Sequence, residues 1–163
     1  MKKNQSKDYT ALVIVWLATI ICLFIFVPRA KIREASLIFL FKQLLTWSLG
    51  LIVVNLGLIR YPNRFFKNVN GSSFTFEYFV FPSICVFFNL YYPTKRKFPI
   101  RFLYYWLYSG ILTGIEVLFE KFTSLIQYRK WRWYHSFISF GITFYLSRVY
   151  YQWFYKKTNP FSI

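Results

Sequence analysis

Acidic side chains are the scarcest chemical groups in this sequence, and they indicate the first candidate site. The 163 residues include 21 Lys and Arg but only five Asp and Glu, and a single His. Three of the acids, Glu77, Glu116 and Glu120, fall inside or beside long apolar blocks. If those blocks are membrane helices, a charge costs about 2.5–3.5 kcal/mol at the helix centre and marks a function by default.

Six polar residues are expected to lie at one end of the molecule. Glu116 and Glu120 share a helix face because they are four residues apart. If the helices alternate in direction, the loop before Glu77 and the loop after Glu120 lie on the same side. The candidate polar cluster consists of Glu77, Glu116, Glu120, Arg132, His135 and Asn55.

Two kinds of role remain open for this cluster. Two carboxylates and a histidine can bind a divalent cation, relay protons, or act as acid and base on a lipid headgroup. Alternatively, arginines of the adjoining loops pair with the glutamates and hold the helix ends together. The chain has no H-E-x-x-H pattern, Ser-His-Asp set, Gly-rich phosphate loop or C-x-x-C. The sequence therefore predicts no catalytic residue, no metal ligand set and no cofactor, and it favours a non-enzymatic protein.

The elements that must position these residues are five apolar blocks. They cover residues 11–27, 35–59, 74–92, 102–119 and 131–154. About 20 apolar residues, within a range of about 17–25, carry a helix across a bilayer. A soluble chain of this size would have to expose large apolar faces, which drives aggregation. The pattern predicts an all-α polytopic membrane helix bundle of five transmembrane helices, forming one integral membrane domain over residues 1–163.

The first block is expected to be a retained helix. It runs to Val27-Pro28 without a small residue in its last five positions. A signal peptide has a shorter apolar stretch of about 7–15 residues and small residues at its cleavage site. Four spans preceded by a signal peptide are the alternative.

Several small or unusual residues inside the blocks predict how the helices pack. Gly110 and Gly114 form a small-xxx-small face that allows a close approach between helices. Gly50 and Gly57 lie seven residues apart on one face of the second block. Pro82 is expected to kink the third block just after Glu77.

Basic residues are spread over every loop and give the chain a formal net charge of +16. No stripe or motif gathers them, so anionic lipid headgroups are favoured over nucleic acid as the partner. Ten Lys and Arg fall on each face, with Lys42 as the twenty-first, so their distribution does not fix the orientation. Lys42 and Arg148 lie inside blocks, on the half opposite Glu77, and both are expected to extend their charges outward to the interface.

Further motifs resemble those of a family of small multi-spanning membrane proteins from endospore-forming Gram-positive bacteria. The similar stretches run from about residue 61 to 154. They are Ser73-Phe-Thr-Phe-Glu77-Tyr-Phe-Val-Phe-Pro82-Ser, Asn89-Leu-Tyr-Tyr-Pro93, Thr113-Gly-Ile-Glu116, Glu120-Lys121 and Tyr128-x-x-Trp131-x-Trp133. The family has no established activity. The resemblance implies a multi-pass protein of the bacterial plasma membrane and carries over no residue role.

Two classes of function are consistent with the sequence. The first is a non-enzymatic structural, regulatory or partner-binding bundle, in a homo-oligomer or with another membrane protein. It predicts glutamates that are each paired with arginine and no continuous cavity. The second is a small transporter or channel component with a proton or cation site at Glu77, Glu116 and His135. It predicts a polar cavity that reaches both carboxylates and has His135 in its wall.

Overall fold

A computed structural model describes residues 5–66, 68–69 and 71–158 of the chain. Its fold is an all-helical bundle, as the composition predicts. The helices are α1 (Gln5–Phe26), α2 (Ile32–Asn55), α3 (Phe81–Leu90), α4 (Phe98–Phe122) and α5 (Trp133–Thr158). A 3-10 turn at Arg29–Lys31 precedes α2, a π-helical segment at Phe74–Val80 leads into α3, and two short strands, β1 (Ile59–Arg60) and β2 (Gln127–Tyr128), pair with each other.

In the part of the chain that the structure describes, three helices are long and apolar enough to cross a membrane. They lie within Ser6–Phe26, Arg29–Asn55 and Phe98–Phe122. The third block forms a shorter apolar helix over Phe74–Leu90, and α5 is long but the least apolar of the long helices. The presence of five membrane-spanning helices therefore stays a prediction.

The boundary predicted for the second block was wrong. The helix ends at Asn55 instead of Ile59, and the chain turns through Gly57, whose φ is +68°. That positive φ suits a residue without a Cβ. Gly57 therefore does not share a helix face with Gly50, and Ile59 instead begins the strand β1. The apolar block of the sequence is longer than the helix because Ile59, which follows the helix, is also buried, against the loop that carries β2.

The third block winds as a π-helix before it becomes α3, and Pro82 lies in the first turn of α3. Proline has no N–H to donate to the carbonyl groups one turn before it. The Glu77 carbonyl instead accepts from Thr46 Oγ1 at 2.7 Å, and the Tyr78 carbonyl accepts from Gln43 Nε2 at 3.0 Å. Both side chains belong to α2. Their hydrogen bonds replace the ones that Pro82 cannot donate, and they attach the start of α3 to α2.

Most outward side chains of α5 are apolar, while its inward side chains include both hydroxyl groups and the buried rings of Phe140 and Phe144. Ser136, Thr143 and Ser147 are buried, whereas Ile138 and Ile142 are more than half exposed. A surface helix of a water-soluble protein instead has charged and polar residues on its outer face. The inner face of α5 packs against α2 and α3, and α4 packs along its side.

Lys42 and Arg148 do not extend outward, so that expectation was wrong. Lys42 is only 2% exposed, and its Nζ donates to Thr143 Oγ1 at 2.6 Å and lies 4.7 Å from the Phe144 ring centre. Arg148 is buried beside Tyr92. Both side chains begin on helix faces that point into the bundle, and neutral groups there solvate them.

Candidate functional site

A two-stranded ribbon joins the second and fourth loops at one end of the bundle. Ile59 pairs with Tyr128 and Arg60 with Gln127 in antiparallel register. The ribbon places Tyr128, the last residue of β2, and Tyr61, which directly follows β1, where they hydrogen-bond to two different glutamates. Two side chains that are far apart in sequence thus approach the helices that carry Glu77 and Glu116.

Glu77 lies in the π-helical segment and is 5% exposed. Its Oε1 accepts from the Tyr61 hydroxyl at 3.0 Å, while its buried Oε2 has no hydrogen-bond partner among the described residues. The carboxylate occupies the space beside Gly50, where any Cβ would overlap all three of its outer atoms. A larger residue at position 50 would therefore force the Glu77 carboxylate to move. π-helical turns occur frequently at functional sites.

Glu116 is held by hydroxyl groups on the other side of the same space. Its Oε1 accepts from Tyr128 and from Ser136, both at 2.9 Å. The Trp131 indole N–H donates to Ser136 Oγ at 2.7 Å and fixes that hydroxyl. The network links α4, β2 and the start of α5.

Both carboxylates line one cavity of about 170 Å³. A cavity needs only about 10–15 Å³ of this kind to hold one water molecule, so this space has room for several. Most of the wall is apolar and aromatic, and its polar groups come from the glutamates and a few neighbours. The polar lining consists of Glu77, Glu116, Tyr61, Trp131, Thr46, Ser136, Ser139 and Thr143. We call this space the carboxylate cavity.

The remaining members of the predicted cluster lie outside the cavity wall. Glu120 is half-buried one turn beyond Glu116, Arg132 is exposed, and Asn55 is exposed at the last position of α2. His135 is half-buried, and its Nδ1 accepts from the backbone N–H of Arg132 at 3.1 Å. The histidine therefore contacts the first turn of α5, and the structure brings together only Glu77 and Glu116 of the six residues.

The predicted packing glycines of α4 differ in their surroundings. A Cβ at Gly110 would lie 3.9 Å from the Phe137 ring of α5, which is ordinary contact. A Cβ at Gly114 would meet nothing within 4 Å. Neither glycine is required by a close contact of the kind seen at Gly50.

Sequence reasoning did not identify the hydroxyl groups or the fourth acidic residue at this end. Asp8, near the start of α1, is 4% exposed and accepts from Asn63 Nδ2 at 2.7 Å and from the Ser124 N–H at 3.3 Å. Helix parity already placed the N-terminus on the side of the second and fourth loops, so Asp8 could have been included. Tyr61 and Tyr128 carried no such signal, because a two-residue ribbon has no sequence pattern.

Both tyrosines are held in their neutral form. Burial, followed by the nearby charge of Glu77, raises the pKa of Tyr61 well above 10. Burial also raises the pKa of Tyr128, with the Glu116 charge as the next cause. They remain hydrogen-bond donors to the carboxylates throughout the physiological pH range.

The arrangement suits a proton or a small cation better than a chelated metal. The groups that hydrogen-bond the two carboxylates are hydroxyls and, at Glu77, the Ser73 backbone N–H, so each glutamate can gain a proton without breaking an ion pair with arginine. Within the described ranges, no group of three or more His, Cys, Asp or Glu side chains is placed to hold a metal ion.

Comparison of the chain with protein-family models, with curated proteins and with solved structures found no match.

Proposed function

We propose that this chain is a multi-pass protein of a bacterial plasma membrane and that it works as a small proton-binding carrier or channel component. The observation that carries the proposal is the carboxylate cavity, in which Glu77 and Glu116 share one space and are held by neutral hydroxyl groups. The motif resemblance to the family from endospore-forming bacteria is part of the same proposal.

We include α5 among five proposed membrane spans because it exposes apolar side chains and buries several hydroxyl groups. Ile138, Ile142 and Tyr145 are exposed, while Ser136 and Thr143 are buried. Such a helix is stable where lipid contacts its outer face, since hydrocarbon solvates apolar side chains and leaves polar groups to find partners within the protein. The helix Phe74–Leu90 is short but largely surrounded by protein, so it needs little contact with lipid.

Proton binding is favoured by the nature of the cavity wall. Ionisable groups inside membrane segments mark proton relays and ion pathways. Water molecules in the cavity can contact the two carboxylates and the hydroxyls of Thr46 and Thr143. Each ordered water needs about two to four polar partners, which these groups supply. A proton can therefore move between Glu77 and Glu116 through water.

The direct test is proton flux in proteoliposomes that contain the purified full-length protein. An imposed potential would drive protons inward, and a trapped pH-sensitive dye would report them. We expect flux above protein-free vesicles, and at least a tenfold loss for Glu77→Gln or Glu116→Gln because neither amide can carry the proton.

Glu120→Gln is the matched control, since it makes the same change on the same helix one turn outside the cavity. It is expected to retain the flux of the wild type. Equal flux in the wild type and the Glu77→Gln/Glu116→Gln double variant, or no flux above empty vesicles, would reject the carrier and leave the structural or partner-binding bundle.

A further inference from the structure

A second and larger depression lies between α4 and α5, toward the third loop. Its volume is about 590 Å³, within the range of about 300–1,000 Å³ typical of ligand sites. Arg101 and Arg148 are part of its lining, and the remainder is mainly apolar and aromatic. We call it the arginine groove.

The two arginines have hydrogen-bonding capacity that the protein does not use. Arg148 is 7% exposed, and its two terminal nitrogens donate to the Asn89 carbonyl at 3.4 Å and to Thr94 Oγ1 at 3.3 Å. Its Nε is buried without a partner, and so is the Nε of Arg101. Among the described residues no carboxylate contacts either guanidinium, and the contacts of Arg148 are with neutral groups. The groove therefore contains two unneutralised positive charges.

The remainder of the groove has the shape and chemistry of a site for a hydrocarbon chain. Phe137, Ile138, Ile142 and Trp106 form its wall. Gly141 is also part of its lining and presents no side chain there. These side chains lie on helices whose outer faces are apolar, so the groove continues into the surface that would meet lipid tails.

We propose that the arginine groove is a binding site for one anionic phospholipid. Its phosphate is held by Arg101 and Arg148, and one acyl chain lies between α4 and α5. Arginine matches phosphate geometry through paired N–H donors. Basic sites between membrane helices are known to hold anionic headgroups. The inference rests on the proposed membrane location and is independent of the carboxylate cavity.

The test is native mass spectrometry of the full-length protein released from micelles that contain either phosphatidylglycerol or phosphatidylcholine. One phosphatidylglycerol is expected to stay bound, with phosphatidylcholine retained at least tenfold less. Arg101→Gln should weaken retention about fivefold, the effect of about 1 kcal/mol per basic residue. Ile142 is exposed in the part of the groove that would hold the acyl chain. Ile142→Trp fills that part and should also reduce the retention of phosphatidylglycerol.

Matched variants separate a site from general charge and surface effects. Arg96→Gln removes the same charge from an exposed position in the loop that precedes α4, and Leu146→Trp adds the same ring to α5 outside the groove lining. Both should bind like the wild type. Equal retention of the two lipids, or equal losses in Arg101→Gln and Arg96→Gln, would overturn the proposal.

A free-anion site is distinguished by competition with glycerol phosphate. Displacement of the lipid by this headgroup fragment at equal concentration would show that the acyl chain contributes nothing, and the lipid site would be rejected. Failure of the proton proposal leaves this measurement unaffected, because Glu77→Gln/Glu116→Gln should retain phosphatidylglycerol normally. Failure of the membrane proposal would be detected separately, as protein that alkaline washing releases from cell membranes.

Discussion

The two halves of the bundle bury opposite charges and solvate both with neutral groups. At one end, Glu77 and Glu116 accept hydrogen bonds from tyrosine and serine hydroxyls. Toward the opposite half, Lys42 donates to Thr143, a residue of the carboxylate cavity wall, and Arg148 donates to a backbone carbonyl and lies 4.2 Å from the Tyr92 ring centre. The two glutamates and Arg148 therefore lie at different ends of the molecule, while Lys42 lies next to the cavity wall.

This separation shows why the two halves are suited to different ligands. A buried ion pair is strongly destabilised when one partner is neutralised, by about 3–5 kcal/mol. The carboxylates of the cavity are bound by hydroxyl groups and avoid that cost when they take up a proton. The arginines of the other half remain charged at all physiological pH values and attract an anion instead.

One of the two largest expected effects comes from closing the space that Glu77 occupies. Gly50→Ala puts a methyl group onto the Glu77 carboxylate in a buried site. Overpacking of this kind costs about 1–3 kcal/mol. We expect a matching loss in the free energy of unfolding, measured in micelles by denaturant titration.

Two further variants identify the cause of that loss. Gly50→Ala combined with Glu77→Ala should recover most of the stability relative to Glu77→Ala alone, because the overlapping carboxylate is gone. Gly114→Ala adds the same methyl group where nothing lies within 4 Å and should cause no loss, since alanine favours the helix by up to about 1 kcal/mol. No recovery in the double variant would show that Gly50 is required for another reason.

Beside the carboxylate cavity, the solvation of Lys42 can be removed with one methyl-for-hydroxyl exchange. Thr143→Val leaves Nζ without its hydrogen-bond acceptor and should cost about 1.5–3 kcal/mol of unfolding free energy. Thr143→Ser keeps the hydroxyl and is the control. In a Lys42→Met background the same Thr143→Val change should cost almost nothing, since the charge is absent. An equal cost in both backgrounds would disprove the role of Thr143 in solvating the lysine.

A smaller effect is expected where α2 replaces the hydrogen bonds that Pro82 cannot make. Gln43→Leu leaves the Tyr78 carbonyl without its side-chain donor and should cost about 1 kcal/mol. Pro82→Ala restores a backbone N–H, so the cost of Gln43→Leu should fall in that background. The difference between the two costs, measured as a double-mutant cycle, is the coupling energy.

The smallest expected effect is the loss of stability at alkaline pH that Tyr61 causes. Its pKa is raised well above 10 in the folded protein, so the folded state keeps a proton that the unfolded state loses. The resulting stability is complete below about pH 10 and declines as the pH rises beyond it. Tyr61→Phe should reduce the decline of the unfolding free energy with pH between about pH 9 and pH 11. An unchanged decline would contradict the raised pKa of Tyr61.

The helical class was predictable because helix formation in apolar blocks depends on local composition. The site was predictable only in part. Glu77 and Glu116 were identified by their cost inside apolar segments, and they do share a cavity. His135 was placed at the correct end but lies outside the wall, since its ring caps the start of its own helix. The position of His135 in the sequence did not reveal that its ring would accept a hydrogen bond from the Arg132 backbone.

The sequence alone determined which segments are helical and which end of the bundle carries most of the acids. Block length, charge scarcity and helix parity are properties of the chain that need no knowledge of contacts. Only the tertiary structure decided that Gly50 faces Glu77, that Tyr61 and Tyr128 supply the donors, and that Lys42 points inward. Those outcomes depend on the rotation of each helix about its axis and on a two-residue strand pairing, which are fixed by packing between distant segments.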